Sequence, residues 1–118
     1  MKLITAVIRA EKLDEVIEFL AGSHVHGLTV SEVRGFGRQF GQAAAGADVD
    51  LGLPRARKAA LLPKVRLDLV VPDDDADALT EALAKHARTG AIGDGKIWVS
   101  EVGSVLRVRT GDRDLAAR

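Results

Sequence analysis

The chain has 118 residues, and several residue types that usually carry chemistry or regulation are missing or scarce. There is no cysteine and no tyrosine, one tryptophan, three phenylalanines and three prolines. Without cysteine, disulfides, Cys-type zinc sites and thiol catalysis are all excluded. Lys and Arg number 17 and Asp and Glu also 17, so the formal net charge is zero. No face is obviously basic, which argues against nucleic acid as the main partner. No apolar run is long enough to span a membrane. The opening MKLITAVIRAEKL has neither the apolar core nor the cleavage site of a signal peptide. The expectation is a cytoplasmic protein with no direct membrane insertion, built as one domain around a single modest core.

What is present is patterned. Residues 3–8 form a short apolar run rich in β-branched side chains, a strand by length. Leu13, Val16, Ile17 and Leu20 recur at helical spacing, and Gly22 follows as a C-terminal cap. Residues 28–34 read as a half-polar strand, and 65–71 alternate as a strand with one buried face. Pro72 ends that strand. Asp73, Asp74 and Asp75 then open a second helix that closes on Lys85, His86 and Arg88, charges that suit the helix dipole at both ends. Its apolar stripe is Ala76, Leu79, Leu83 and Ala87. Residues 96–100 and 105–109 are two further strand candidates, with Trp98 read as packing, and the tail from Gly111 is expected to be loose.

The order is β-α-β, a long connection, β-α-β and one more strand. Two such units with right-handed crossovers place both helices on one face of an antiparallel sheet, which predicts an α+β, ferredoxin-like fold with an extra C-terminal strand. Two helices cover one sheet face only. The apolar residues on the other face predict an oligomer.

The long connection, residues 35–62, carries Gly35, Gly37, Gly41, Gly46, Gly52 and Pro54 and no sustained hydrophobic period. A connection of that length inside a compact domain is usually functional or disordered. At its start, GFGRQFG combines closely spaced glycines, whose N–H groups can converge on an anion, with the charge of Arg38 and the amide oxygen of Gln39, which can reach a metal ion. A plain flexible linker would read the same way. Gly93, Asp94, Gly95 and Lys96 form a glycine-lined turn followed by an ammonium, suited to phosphate oxygens, or simply a tight turn with an exposed lysine. Arg107 and Arg109 would share one face of a strand and grip one polyphosphate, or keep an edge strand soluble. Lys64, directly after Pro63, can meet a carboxylate or phosphate, or be an ordinary surface lysine. Together Arg38, Lys64, Lys96, Arg107 and Arg109 are five cations at strand ends beside glycine-rich backbone, which points to an anionic ligand such as a nucleotide. Catalysis has little support. His24 and His26 form an H-x-H pair with no third ligand at metal spacing, and no nucleophile has a base near it in sequence.

Taken in order, KLDEV at 12–16, GLTVSEVRGFGRQFG at 27–41, LPKV at 62–65, ARTGAIGDGKIWVS at 87–100 and LRVRTG at 106–111 resemble the PII signal-transduction family over nearly the whole length. The resemblance implies a non-enzymatic homotrimer, a domain over 1–111 followed by a tail at 112–118, that binds ATP or ADP between subunits. Gly37, Arg38 and Gln39 would border the nucleotide, with Thr29 and Val70 near the adenine. Gly93, Asp94, Gly95 and Lys96 would cradle phosphates, and Arg107 and Arg109 would clamp them from the neighbouring subunit. In members that sense 2-oxoglutarate, magnesium held by the ATP phosphates and Gln39 chelates the keto acid, Lys64 pairs with its carboxylate, and backbone near Gly41 completes the site. Residues 37–62 correspond to the family's effector loop, which docks on a membrane transporter or a metabolic enzyme.

The sequence departs from the family in that loop. The usual tyrosine-bearing segment is replaced by AAAGADVDLGLPRARKAAL, which is several residues longer, and no Tyr, Ser or Thr lies between 37 and 62. Hydroxyl-based modification there is chemically impossible. Arg55, Arg57 and Lys58 form the basic cluster near the loop tip and are the candidates for partner docking. Ala10 and Glu11 stand where the family customarily has Pro-Phe. The function expected is a sensor of ATP and ADP and of 2-oxoglutarate. One alternative is a nucleotide-binding paralogue that ignores 2-oxoglutarate and controls a different transporter or enzyme. An alternative of another class is a ferredoxin-like enzyme acting on a nucleotide.

Overall fold

The computed structural model describes residues 1–36 and 61–117. Strands β1 (Lys2–Arg9), β2 (Thr29–Gly35), β3 (Leu62–Val71) and β4 (Gly95–Glu101) and helices α1 (Leu13–Ala21) and α2 (Asp73–Ala87) make up its regular structure, with single 3-10 turns at Ala10–Lys12 and Asp114–Ala117. The strands form one sheet in the order β2-β3-β1-β4, with every neighbouring pair antiparallel. Each β-α-β unit is therefore split by a strand from elsewhere, which is the predicted α+β ferredoxin-like arrangement.

Alternation along the strands decides the faces. Ile4 lies opposite Leu69, Ala6 opposite Leu67 and Ile8 opposite Val65. All six are buried and meet Val16 and Leu20 of α1 and Ala76, Leu83 and Ala87 of α2 in one core. The stripe on α2 is the predicted one, with Leu79 half-buried at its edge. On α1 the stripe is rotated: Ile17 is 36% exposed, and Phe19 packs against the core instead. Phe19 lies where the helices meet, its ring stacked on His86 of α2 at 4.6 Å, and an aromatic in that cleft buries more area than Ile17 would. Gly22 does cap α1, but with φ −89° rather than a left-handed conformation, and the Ser23 hydroxyl donates to the Leu20 carbonyl at 2.7 Å.

The opposite face of the sheet carries Leu3, Val7, Val70 and Trp98 around a polar centre. Trp98, opposite Thr5, is 44% exposed in the single chain rather than packed. Thr5 is fully buried and donates to Asp68 Oδ1 at 2.8 Å, while Arg66 Nε donates to Asp68 Oδ2 at 3.0 Å.

The expected strand at 105–109 is not formed. Leu106 makes a single bridge to Arg113, the Gly111 N–H donates to the Arg107 carbonyl at 2.8 Å, and Val108 is 96% exposed. A strand needs a neighbouring ladder, and this segment turns back on itself instead of pairing along the sheet. The tail, expected to be loose, is tied to the same segment: Asp114 N–H donates to the Val105 carbonyl at 2.9 Å. Among the described residues no helix is long and apolar enough to cross a membrane.

Candidate anion-binding site

The glycine-lined turn ahead of β4 is built around a carboxylate. Asp94 Oδ2 accepts the N–H groups of Thr89 and Gly90, each at 2.8 Å, and Oδ1 accepts the Thr89 hydroxyl at 2.5 Å. Arg9, the last residue of β1, donates from Nε to Asp94 Oδ1 at 2.9 Å and from Nη2 to the Ile92 carbonyl at 2.7 Å. The Thr89 hydroxyl first, then Arg9, then the two backbone N–H groups hold the Asp94 carboxyl well below the usual carboxylate range.

Gly90, Gly93 and Gly95 all have positive φ, and at Gly95 glycine is obligatory. A Cβ there would fall 1.8 Å from the Val7 carbonyl oxygen. This close approach lets the turn feed directly into the β4–β1 ladder, where Gly95 lies opposite Ile8 and Lys96 opposite Val7. Lys96 itself is exposed.

Lys64 comes to the same corner from β3, opposite Arg9 on one side and Val33 on the other. It is only 8% exposed, and its ammonium donates to the Gly93 carbonyl. Burial above all, and then the neighbouring Arg9 charge, push its pKa down, with Glu11 and Asp94 partly offsetting them. Pro63 precedes it where β1 no longer pairs with β3, so its missing N–H costs that side of the ladder nothing. The β2–β3 ladder runs out to Gly35 opposite Leu62, and a Cβ on Gly35 would come within 3.1 Å of Lys64 Cγ.

The structure thus brings together Lys64, Gly93, Asp94, Gly95 and Lys96. Asp94 shapes the turn from within, because its oxygens are committed to Thr89, Gly90 and Arg9. Thr29, Val70 and Arg107 lie elsewhere. They line a groove of about 960 Å³ between β3, α2, the 23–28 loop and the C-terminal segment, whereas Asp94, Gly95 and Lys96 line a smaller recess of about 320 Å³. Val70 lies opposite Leu3 and Lys96 opposite Val7, four residues apart along β1, or roughly 13 Å.

Arg107 and Arg109 do not share a strand face, because no strand forms there. Arg107 is half-buried with Nη2 directed to the Ala117 carbonyl at 3.3 Å, and Arg109 is exposed. His24 and His26 are exposed in the 23–28 loop, and no cluster of three potential metal ligands occurs among the described residues. Gly37, Arg38, Gln39, Gly41, Arg55, Arg57 and Lys58 lie outside the described residues.

Two participants escaped the motif reading. Arg9 holds the turn, and Glu11 stands beside it, Oε1 to Nη1 at 3.7 Å. A cation closing a strand is the same signal that singled out Lys64, and applied to β1 it would have found Arg9.

Residues 1–112 match the family model described as nitrogen regulatory protein P-II. The chain is 44% identical over 119 residues to the nitrogen regulatory protein GlnK of Escherichia coli strain K12, covering 99% of each. It is 46% identical over 114 residues to nitrogen regulatory protein P-II 2 of Methanothermobacter thermautotrophicus, covering 95% of this chain and 92% of the relative. With nearly full-length coverage at that identity, the chain belongs to the P-II nitrogen regulatory protein family.

Proposed function

We propose that this P-II protein is a cytoplasmic, non-enzymatic signal transducer that binds ATP or ADP and senses 2-oxoglutarate. It acts as a homotrimer and passes the signal to a membrane transporter or metabolic enzyme through residues 37–62. The observation that carries the nucleotide reading is the 89–96 turn. The Asp94 carboxylate and the Ile92 and Gly93 carbonyls accept from Arg9, Thr89, Gly90 and Lys64, while Lys96 stays exposed at the turn's exit. A rigid turn ending in an ammonium is pre-organised for phosphate oxygens.

Thr29 and Val70, the residues assigned to the adenine, lie on β2 and β3, while Lys96 lies on β4 beyond β1, with Val70 offset from it by four residues along the strand direction, roughly 13 Å. This spacing supports a site completed by a second copy, as does the unsheltered face around Trp98. Magnesium would enter with the ATP phosphates and would take its protein oxygen from Gln39, an assignment that rests on motif alone. Lys64, buried beside the turn, is the candidate partner of the keto acid's carboxylate.

The logic of signalling is differential affinity: a ligand shifts the loop only as far as it favours one loop state. Titration calorimetry with Mg-ATP, with and without 2-oxoglutarate, tests the reading. Binding that weakens at least tenfold in Lys96→Ala is expected, and no nucleotide binding at all would overturn it. Unchanged ATP affinity on adding the keto acid would select the second reading, a P-II paralogue that ignores 2-oxoglutarate. Glu11, an added negative charge beside Arg9, is the observation in favour of that second reading. For the output arm, charge reversal at Arg55, Arg57 and Lys58 together is expected to abolish capture of the partner.

A further inference from the structure

The corner that holds Arg9 and Lys64 contains two cations and two carboxylates. The carboxylates differ in commitment. Asp94 is 24% exposed and accepts four hydrogen bonds from Arg9, Thr89 and Gly90, so releasing it would dismantle the turn. Glu11 is 69% exposed, sits in the single 3-10 turn Ala10–Lys12, and meets Arg9 across a loose 3.7 Å. Its removal breaks no close hydrogen bond, yet its charge belongs to the same corner, where it also acts on Lys64.

We infer that Glu11 is a built-in competitor at the Arg9–Lys64 corner, an exposed carboxylate that an incoming carboxylate ligand must displace or outweigh. It thereby sets how much keto acid is needed before the signal is read. The inference rests on the proposed role of Lys64. Glu11 is 69% exposed, and two unit charges about 6 Å apart in a nearly water-like dielectric alter binding by about three- to fivefold, an effect that salt screens.

The test compares wild type with Glu11→Gln and Glu11→Lys, substitutions in an exposed single turn that leave the core untouched. With Mg-ATP saturating, 2-oxoglutarate is expected to bind about three- to fivefold tighter to Glu11→Gln than to wild type, and roughly the square of that tighter to Glu11→Lys. Both gains should shrink toward none near 0.5 M salt, where the screening length falls to about 4 Å. Equal or weaker binding in the variants would overturn the inference.

A second measurement needs no ligand. In the unliganded protein, Lys64 followed by NMR should titrate at lower pH in Glu11→Gln, and an unmoved titration would also overturn the inference. If neither wild type nor variant binds 2-oxoglutarate, the effector reading fails separately. The Lys64 titration, together with a matching gain in Mg-ATP affinity, then decides the role of Glu11.

Discussion

Arg9 and Asp94, 85 positions apart in the chain, meet at 2.9 Å and join the end of the first strand to the turn before the last. Arg9 is 17% exposed and Asp94 24%, so the pair works in a partly sheltered setting where charge-assisted hydrogen bonds exceed the strength of open surface pairs. Through it, the turn that leads to Lys96 is tied to a residue far outside the 93–96 segment.

Asp94→Asn is therefore expected to loosen the turn more than it weakens the fold. The amide protons of Thr89 and Gly90 should exchange at least about tenfold faster, with Mg-ATP affinity falling in step. Because the Asp94 pKa is depressed by folding, its contribution is fully present above the unfolded carboxylate value of about 3.9 and is lost as pH falls below that toward the lower folded value. Amide exchange at 89 and 90, corrected for its intrinsic pH dependence, should therefore be unchanged from pH 7 to about pH 4.5. Loosening already near pH 6 would assign the effect to another group.

Gly95→Ala is expected to be the most damaging single methyl in this region. The new Cβ meets the Val7 carbonyl oxygen at 1.8 Å with φ at +95°, so β4 must move away from β1. A cost of about 3 kcal/mol or more and a fall in Tm of about 10 °C are expected by calorimetry. Gly103→Ala is the control: nothing lies within 4 Å of its Cβ position.

Lys64→Met should separate stability from function. Lys64 is 8% exposed and its pKa is lowered chiefly by burial, so the charged form is disfavoured in the folded protein. For a lysine shifted down, stability rises with pH between the folded value and the unfolded 10.5. Replacing it with an apolar side chain of similar length should leave Tm unchanged or raise it by about 2–5 °C, while the response to 2-oxoglutarate is lost. A large drop in Tm would show that the Gly93 contact outweighs burial.

Trp98 is the single tryptophan of the chain and sits 44% exposed on the sheet face that the helices leave open. If other copies cover that face, its emission should be blue-shifted at micromolar protein and should move red on dilution, together with a fall in sedimentation mass. Emission typical of an exposed indole at all concentrations would place the subunit contacts elsewhere.

The local patterns carried the fold because they are short-range. Period-two alternation in 65–71 and the Ala76–Ala87 stripe named the buried faces, and the antiparallel sheet with both helices on one side followed from connectivity. Misreadings arose where a long-range contact outranked local spacing. Ile17 yields to Phe19 because Phe19 stacks on His86 of the other helix, and 105–109 looks strand-like but has no neighbour to pair with along the sheet.

By itself the sequence determined what chemistry is possible: no thiol, no hydroxyl between 37 and 62, glycines at 90, 93 and 95 where the turn takes positive φ, and cations at strand ends. Only the tertiary structure decided how those groups are used. Arg9 and Lys64 come from two strands that lie side by side in the sheet though far apart in the chain, and both close on carbonyls of the 92–93 stretch. A charge's role depends on what surrounds it. So the turn of Gly93, Asp94, Gly95 and Lys96, the candidate phosphate site, proves to be held from outside by Arg9 and Lys64, with Glu11 beside Arg9.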